Sequence, residues 1–304
     1  MIEQLKALFE QAAKTVTGPL GVGFKDLNSG EAVYYNADKV FPTASVYKTF
    51  VLCELFRRQK AGTFSFEDKH TLLESDKSIG SGILELFQEG AVLSMMDYAV
   101  LMMAISDNTA ADYLYQLVGP KSIHENIIEP LGMTNTLCNA EGRSLLNSYY
   151  GVSVEEYRRR DAAGERFHAR NGSYFRCEEK KNKQTTPRDM VKLLTALYEG
   201  SFAGVETDNQ ILEVMLKCQS TVLIPAQLPS GVRIAHKTGS IDHLANDCGI
   251  IYTDYGNYVL TLFYNGNLAS EDEYESTSGI TIGKAVLGQL SADIYRIFTE
   301  YYRK

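Results

Sequence analysis

The last third of the chain constrains the fold most. Val232-Arg233-Ile234-Ala235-His236 alternates apolar and polar side chains, the two-residue period of a strand lying on a core. Cys248-Gly249-Ile250-Ile251-Tyr252 and the run from Tyr258 to Tyr264 are two further strands, with Asp254-Tyr255-Gly256-Asn257 as the turn between them. Near the other end of the chain, Leu20 to Asp26 and Glu31 to Asn36 form a hairpin around Asn28-Ser29-Gly30. Strands at both ends of one chain can share a single antiparallel sheet. Helices fall outside them. Ile2, Leu5, Leu8, Phe9, Ala12, Ala13 and Val16 recur at helical spacing until Gly18-Pro19, and Ser278 to Tyr302 carries Ile282, Ala285, Val286, Leu290, Ile294, Ile297 and Phe298 on one face. The sequence therefore predicts an α/β (α+β) fold. A five-stranded antiparallel sheet is flanked by the terminal helices, and the middle of the chain forms an all-helical lobe. The expected boundaries are residues 1–60 and 205–304 for the sheet-bearing part and 61–204 for the helical part, all within one domain.

The middle reads as helical from the end of the helix near Ala61-Gly62 to about residue 130. Ser94 caps a methionine-rich helix whose Met95, Met96 and Met102 suit core packing. Thr186 and Pro187 suit the cap and first turn of another, ending near Glu199-Gly200. Residues 141–184 are polar, charged and poor in aliphatics, and are expected to be an atypical insertion. A net charge of −8 argues against nucleic acid and anionic membranes as partners, and the basic clusters Arg158-Arg159-Arg160 and Lys180-Lys181 are interleaved with acids. No stretch approaches the length of a membrane span. Met1 leads into an amphipathic, acidic segment rather than an apolar leader, so a cytoplasmic location is expected, or an external one if a leader precedes Met1. Cys53, Cys138, Cys177, Cys218 and Cys248 are odd in number and widely spaced, which fits free thiols. The histidines show no metal-ligand spacing, and neither a metal nor another cofactor is expected.

Ser45-Val46-Tyr47-Lys48 opens the apolar run Thr49 to Phe56. A serine at a helix start with a lysine three residues on puts a hydroxyl and an amine on one face, where the amine can take the hydroxyl proton. The same four residues also describe an N-cap serine followed by a surface lysine. Two more polar motifs follow in order, each expected at an element boundary: Ser106-Asp107-Asn108 and Lys237-Thr238-Gly239. That ordered triple is the signature of class A β-lactamases and penicillin-binding proteins.

From about Leu20 to its C-terminus the chain resembles the class A β-lactamase and penicillin-recognising serine hydrolase family. The likeness extends to Phe41-Pro42-Thr43-Ala44-Ser45, Gly80-Ser81-Gly82-Ile83-Leu84, Ser106 to Ala111, Thr185 to Met190, and Arg233 to Ser240 followed by Asn246-Asp247. The resemblance implies the β-lactamase/DD-peptidase-like fold and a small-molecule substrate, a β-lactam or a carboxylate-bearing amide or ester. It implies that Ser45 is the acylated nucleophile, Lys48 its proton acceptor, and Ser106 the carrier of a proton to the leaving nitrogen. Asn108 would hydrogen-bond the substrate amide. Lys237 and Thr238 would bind the carboxylate, and Gly239 would let substrate lie close to the strand. The backbone N–H groups of Ser45 and Ser240 would form the oxyanion hole.

The family also carries a glutamate and an asparagine in an omega loop shortly before the Thr-Thr-Pro segment, and that glutamate activates the deacylating water. Counting back from Thr185 lands near Arg170 to Tyr174, where no Glu-x-x-x-Asn exists. Glu155, Glu156, Glu165, Glu178 and Glu179 are the displaced candidates. Three readings follow: an acyl-serine hydrolase that hydrolyses or traps β-lactams; a related peptidase, esterase or glutaminase without efficient β-lactam turnover; and a non-enzymatic β-lactam or peptide sensor.

Overall fold

Five strands meet edge to edge: β1 (Leu20–Asp26), β2 (Ala32–Tyr35), β3 (Arg233–Ile241), β4 (Leu244–Thr253) and β5 (Gly256–Asn265). Their order is β2-β1-β5-β4-β3, and each neighbouring pair is antiparallel. The N-terminal hairpin therefore completes a sheet begun by the C-terminal meander. The computed structural model describes residues 1–140, 152–165, 172–178, 180–268 and 277–304. Along β5, Tyr258, Leu260, Leu262 and Tyr264 belong to one core and Val259 and Phe263 to another, so the strand is apolar on both faces. A sheet covered on both sides selects near-continuous apolar strands.

Helices α1 (Ile2–Ala13) and α7 (Thr277–Tyr302) cover the first face through Leu5, Phe9, Leu287, Leu290, Ile294 and Phe298. The second face carries α2 (Lys48–Lys60), α3 (Met95–Ala104), α4 (Asn108–Val118), α5 (Pro187–Glu199) and α6 (Val205–Met215). Every residue of α2 from Lys48 to Phe56 is buried, which places the Ser-x-x-Lys segment at the centre of this core. Within it, the Glu54 carboxylate accepts from Arg57, Arg58, Ser122 and Asn126. Helix α5 starts as expected, with the Thr186 hydroxyl accepting from the Asp189 N–H at 3.1 Å, and it stops at Gly200, which is left-handed with φ 69°.

Three expectations change. Residues 61–94 are not continuous helix. They are turns and short 3₁₀ segments around a two-stranded ribbon of Lys69–Thr71 and Val92–Ser94, because Gly62, Gly80, Gly82 and Gly90 all take positive φ. Helix α1 ends at Ala13, leaving Val16 beyond the helix but packed on the core. Strand β3 continues through Lys237, Thr238 and Gly239 instead of ending before them. Of the expected insertion, residues 141–151, 166–171 and 179 lie outside the described residues. The rest contains a helix Val154–Ala162, a short helix Gly172–Arg176 and a strand Lys183–Thr185. That strand pairs with Phe41–Pro42 and with Leu137–Cys138, tying the end of the insertion to the approach to Ser45. Among the described residues, no helix is long and apolar enough to cross a membrane.

The seam between α7 and the sheet is aromatic. Phe298 packs against Phe24, Tyr258 and Tyr302, with ring centroids 6.2, 4.8 and 5.1 Å away. Phe298→Ala should cost about 3–5 kcal/mol in a denaturant titration. A loss below about 1 kcal/mol would mean that α7 does not depend on this contact.

Candidate active site

Ser45 lies in a 3₁₀ turn, Ala44–Tyr47, that runs directly into α2 at Lys48. The turn is strained: Ala44 has φ 43°, a left-handed conformation that a residue with a Cβ resists. It is held from three sides. The Ala44 N–H donates to Tyr174 Oη at 3.2 Å, and the Thr43 N–H donates to the Lys183 carbonyl at 2.9 Å. Asn246 Nδ2 donates to the carbonyls of Pro42 at 2.8 Å and Thr43 at 3.2 Å. Strand β3 presses from the third side, and here Gly239 is required. A Cβ on it would stand 2.5 Å from the Thr43 carbonyl oxygen and 2.9 Å from the Ser45 nitrogen. The close approach that Gly239 permits is thus to the Ala44–Tyr47 turn, whereas Thr238 and Ser240 line the cleft.

The Lys48 amine is fully buried, and among the described residues it hydrogen-bonds Ser106 and Asn108, not Ser45. It lies 2.7 Å from the Ser106 carbonyl oxygen, 2.8 Å from Asn108 Oδ1 and 3.1 Å from Ser106 Oγ. Burial and then the positive charge of Lys237 hold its pKa well below the usual lysine range. Asn108 Nδ2 donates to the Ile79 carbonyl at 2.9 Å. The amide expected to meet substrate is therefore already engaged at both ends, with one Nδ2 hydrogen remaining.

The Ser106-Asp107-Asn108 turn is built to hold that geometry. Ser106 has φ 61°, a second strained residue beside the cleft. Asp107 is buried and caps α4, with Oδ1 accepting the Ala110 N–H at 3.0 Å. Its Oδ2 accepts the N–H groups of Ile83 at 2.7 Å and Leu84 at 2.9 Å. Gly80-Ser81-Gly82 wraps this turn closely, and a Cβ on Gly82 would collide with the Asp107 carboxylate. The Asn108 N–H also donates to the Ser81 carbonyl at 2.8 Å.

Between these parts lies a cleft of about 300 Å³, lined by Ser45, Ser81, Ser106, Lys237, Thr238 and Ser240, with Ala104, Ile105, Cys218, Gln219 and Ser220 on its walls. The structure brings together the motif serines and Lys237 at this cleft, with Lys48 and Asn108 behind it. Lys237 is buried, its Nζ donating to the Thr238 carbonyl at 2.9 Å, and burial lowers its pKa to about 8 against the opposing pull of Cys218 and Asp247. Ser81, Cys218, Gln219 and Ser220 were not singled out from sequence as cleft residues. The Gly80-Ser81-Gly82 turn was visible in sequence, but nothing marked its carbonyl as a partner of Asn108. Lys183 was also missed. Its buried amine sits 3.4 Å from the centre of the Tyr47 ring and 4.2 Å from that of Tyr115, with no hydrogen-bond partner among the described residues. Among the described residues, no group of three or more His, Cys, Asp or Glu side chains is arranged to hold a metal ion.

The model of the β-lactamase enzyme family matches residues 1–298. The chain belongs to that family. Among similar proteins, the β-lactamase VEB-1 of Pseudomonas aeruginosa is 23% identical over 311 aligned positions, covering 99% of this chain and 91% of VEB-1. A solved β-lactamase from Sphaerobacter thermophilus superposes with a TM-score of 0.78 at 24% identity, covering 98% of this chain and 97% of that one. PBP-A superposes with a TM-score of 0.75 at 21% identity, covering 99% and 97%. Family and fold make the protein a hydrolase of the serine β-lactamase type with the class A fold.

The deacylating base that the class A pattern calls for has no counterpart in the described part of this β-lactamase family member. No carboxylate is among the described residues lining the cleft. Glu156 is tied to Arg159 and Arg160, whose hydrogen bonds lower its pKa to about 2. Glu165 lies 3.7 Å from Arg160, and Glu178 pairs with Arg176 at 2.9 Å. Glu155 is exposed on the Val154–Ala162 helix, and Glu179 lies outside the described residues.

Gly239→Ala should destabilise the fold by about 1–3 kcal/mol, because the new methyl must displace the backbone at Thr43 and Ser45. A denaturant midpoint indistinguishable from wild type would show that β3 and the turn are not in this contact.

Proposed function

We propose that the protein is acylated at Ser45 by β-lactams or similar carboxylate-bearing amides, and that it releases the acyl group slowly. The coordination of Lys48 carries this reading. A neutral amine has two N–H bonds and one lone pair. The Ser106 carbonyl and Asn108 Oδ1 accept the two N–H bonds, which leaves the lone pair for a serine hydroxyl. On this reading Ser45 Oγ attacks the lactam carbonyl and its proton passes to Lys48. The C–N bond breaks, the nitrogen takes the Ser106 hydroxyl proton, and Lys48 returns a proton to Ser106. The Ser45 and Ser240 N–H groups stabilise the oxyanion. Lys237, with Thr238, receives the substrate carboxylate.

The pairing of Glu156, Glu165 and Glu178 with arginines supports slow release, since a carboxylate held in an ion pair is a poor base for water. A variant of PBP-A, a relative of the same fold, has been solved as an acyl-enzyme complex with penicillin G.

Intact-protein mass spectrometry with penicillin G tests the reading. A single adduct should appear, be absent in Ser45→Ala, and outlast a turnover time of about 1 s. Lys48→Met should slow its formation by about 10²–10⁴-fold. An adduct that survives Ser45→Ala overturns the nucleophile, and turnover faster than about 1 per second overturns slow release.

The pH profile of the second-order acylation rate follows from two lysines. The rate should rise as Lys48 loses its proton, on a limb well below pH 10.5, and fall through about pH 8 as Lys237 loses the charge that holds the carboxylate. A rate that climbs steadily beyond pH 9 would contradict the role given to Lys237.

A further inference from the structure

A second cavity of about 470 Å³ adjoins the Ser45 cleft, and Cys218 and Ser220 stand on the walls of both. One strand runs from the first to the second. Lys237, Thr238 and Ser240 line the cleft, and Arg233, Ile234 and His236 of the same β3 line the cavity. β3 is the outermost strand of the sheet and pairs with β4 alone, so every second residue turns its backbone N–H and C=O to an open edge. The reaction described above uses only the part of that edge near Ser240.

The chemistry of the substrate gives the edge a direction. In a β-lactam the carboxylate is borne by the carbon next to the leaving nitrogen. With the acyl oxygen at the Ser240 N–H and the carboxylate at Lys237 and Thr238, the path from acyl carbon to carboxylate runs along β3 toward lower residue numbers. Continued, it enters the second cavity, where the chain from Val232 to His236 covers roughly 13 Å more at about 3.3 Å per residue. Whatever the amine half of the substrate carries past its carboxylate arrives there.

The lining says what that group should be. Leu216, Pro225 and Ile234 offer apolar surface, while Lys217 and Arg233 are exposed cations. Arg233 lies 3.6 Å from Glu213, the one carboxylate among the described lining residues, and His236 Nδ1 lies 2.8 Å from Asp247. The charge of Lys217 is left in excess. A locally cationic cavity in a protein of net charge −8 favours an anion at that spot.

We propose that this cavity is a leaving-group subsite, which takes a ring-bearing anionic extension on the amine side of the substrate, beyond the carboxylate held by Lys237. The inference rests on the acylation of Ser45 proposed above.

The test uses the whole protein and three β-lactams, with second-order acylation rates read by intact-protein mass spectrometry. Cefonicid and cefamandole share a mandelyl acyl group and a thiotetrazolylmethyl arm beside the carboxylate. The arm ends in sulfomethyl in the first and in methyl in the second, and penicillin G has no such arm. At low salt the wild-type protein should be acylated about two- to fivefold faster by cefonicid than by cefamandole, the size expected of an exposed charge pair. Lys217→Glu should reverse that order and leave the penicillin G rate unchanged. Thr221→Trp, at the exposed rim, should fill the cavity, slow both cephalosporins and spare penicillin G. Equal rates for the two cephalosporins in wild type, or equal slowing of penicillin G by Thr221→Trp, overturn the subsite. The first comparison is made within wild-type protein and needs no variant to fold. Absence of any penicillin G adduct would instead overturn the acylation reading, and the subsite with it.

Discussion

A lysine amine with no carboxylate among its hydrogen-bond partners in the described residues, sealed at the start of the central helix, is the constraint around which this protein is built. Lys48 is fully buried, and its partners are two carbonyl-type oxygens and a hydroxyl. An ammonium there would carry a desolvation penalty of several kcal/mol with no opposite charge bonded to it. Burial and the charges of Lys237 and Lys183 together outweigh the opposing pull of Asp112 and Asp107. The environment therefore favours the neutral amine, the form that can accept the proton of a serine. The oxygens that solvate its N–H bonds come from one turn, so the geometry of that turn decides how the lone pair is aimed.

Much of the surrounding structure serves that turn and its opposite number at Ser45. Asp107 spends both oxygens on backbone N–H groups that bind the Gly80–Leu84 segment to the head of α4. Ser106 and Ala44 sit in left-handed conformations that cost roughly 1–3 kcal/mol each and persist only where neighbours over-determine them. For Ala44 those neighbours are Tyr174, Lys183, Asn246 and the bare face of Gly239. They come from a short helix, a short strand and the two sheet strands at the cleft edge. The sheet itself is closed by pairing β1 with β5, so folding of the two chain ends and formation of the site are coupled.

The motif residues were legible because each carries chemistry in its side chain and stands beside a clear element signal. The strands were legible because β3, β4 and β5 combine β-branched and aromatic residues with turn residues between them. What stayed hidden depends on contacts between distant segments. The sequence marks Gly239 as a place of close approach, but only the register of β3 against residues 43–46 shows that the approaching group is the turn that carries Ser45. Residues 61–94 read as helix because their apolar residues are spaced loosely enough to suit one, while glycines at positive φ turn the chain into loops around Asp107. His236 looked like an alternating strand residue. Its pairing with Asp247 becomes visible only once β3 and β4 lie side by side.

The charge state of Lys48 is the point on which the catalytic reading stands. It can be measured directly by titrating protein labelled with ¹³C at the lysine Cε positions, with the Lys48 signal assigned by its loss in Lys48→Arg. Lys48 should titrate well below the ordinary lysine value of 10.5, separated from the surface lysines and already neutral where acylation is fast. A Lys48 signal that titrates together with the surface lysines would contradict the neutral-amine mechanism outright.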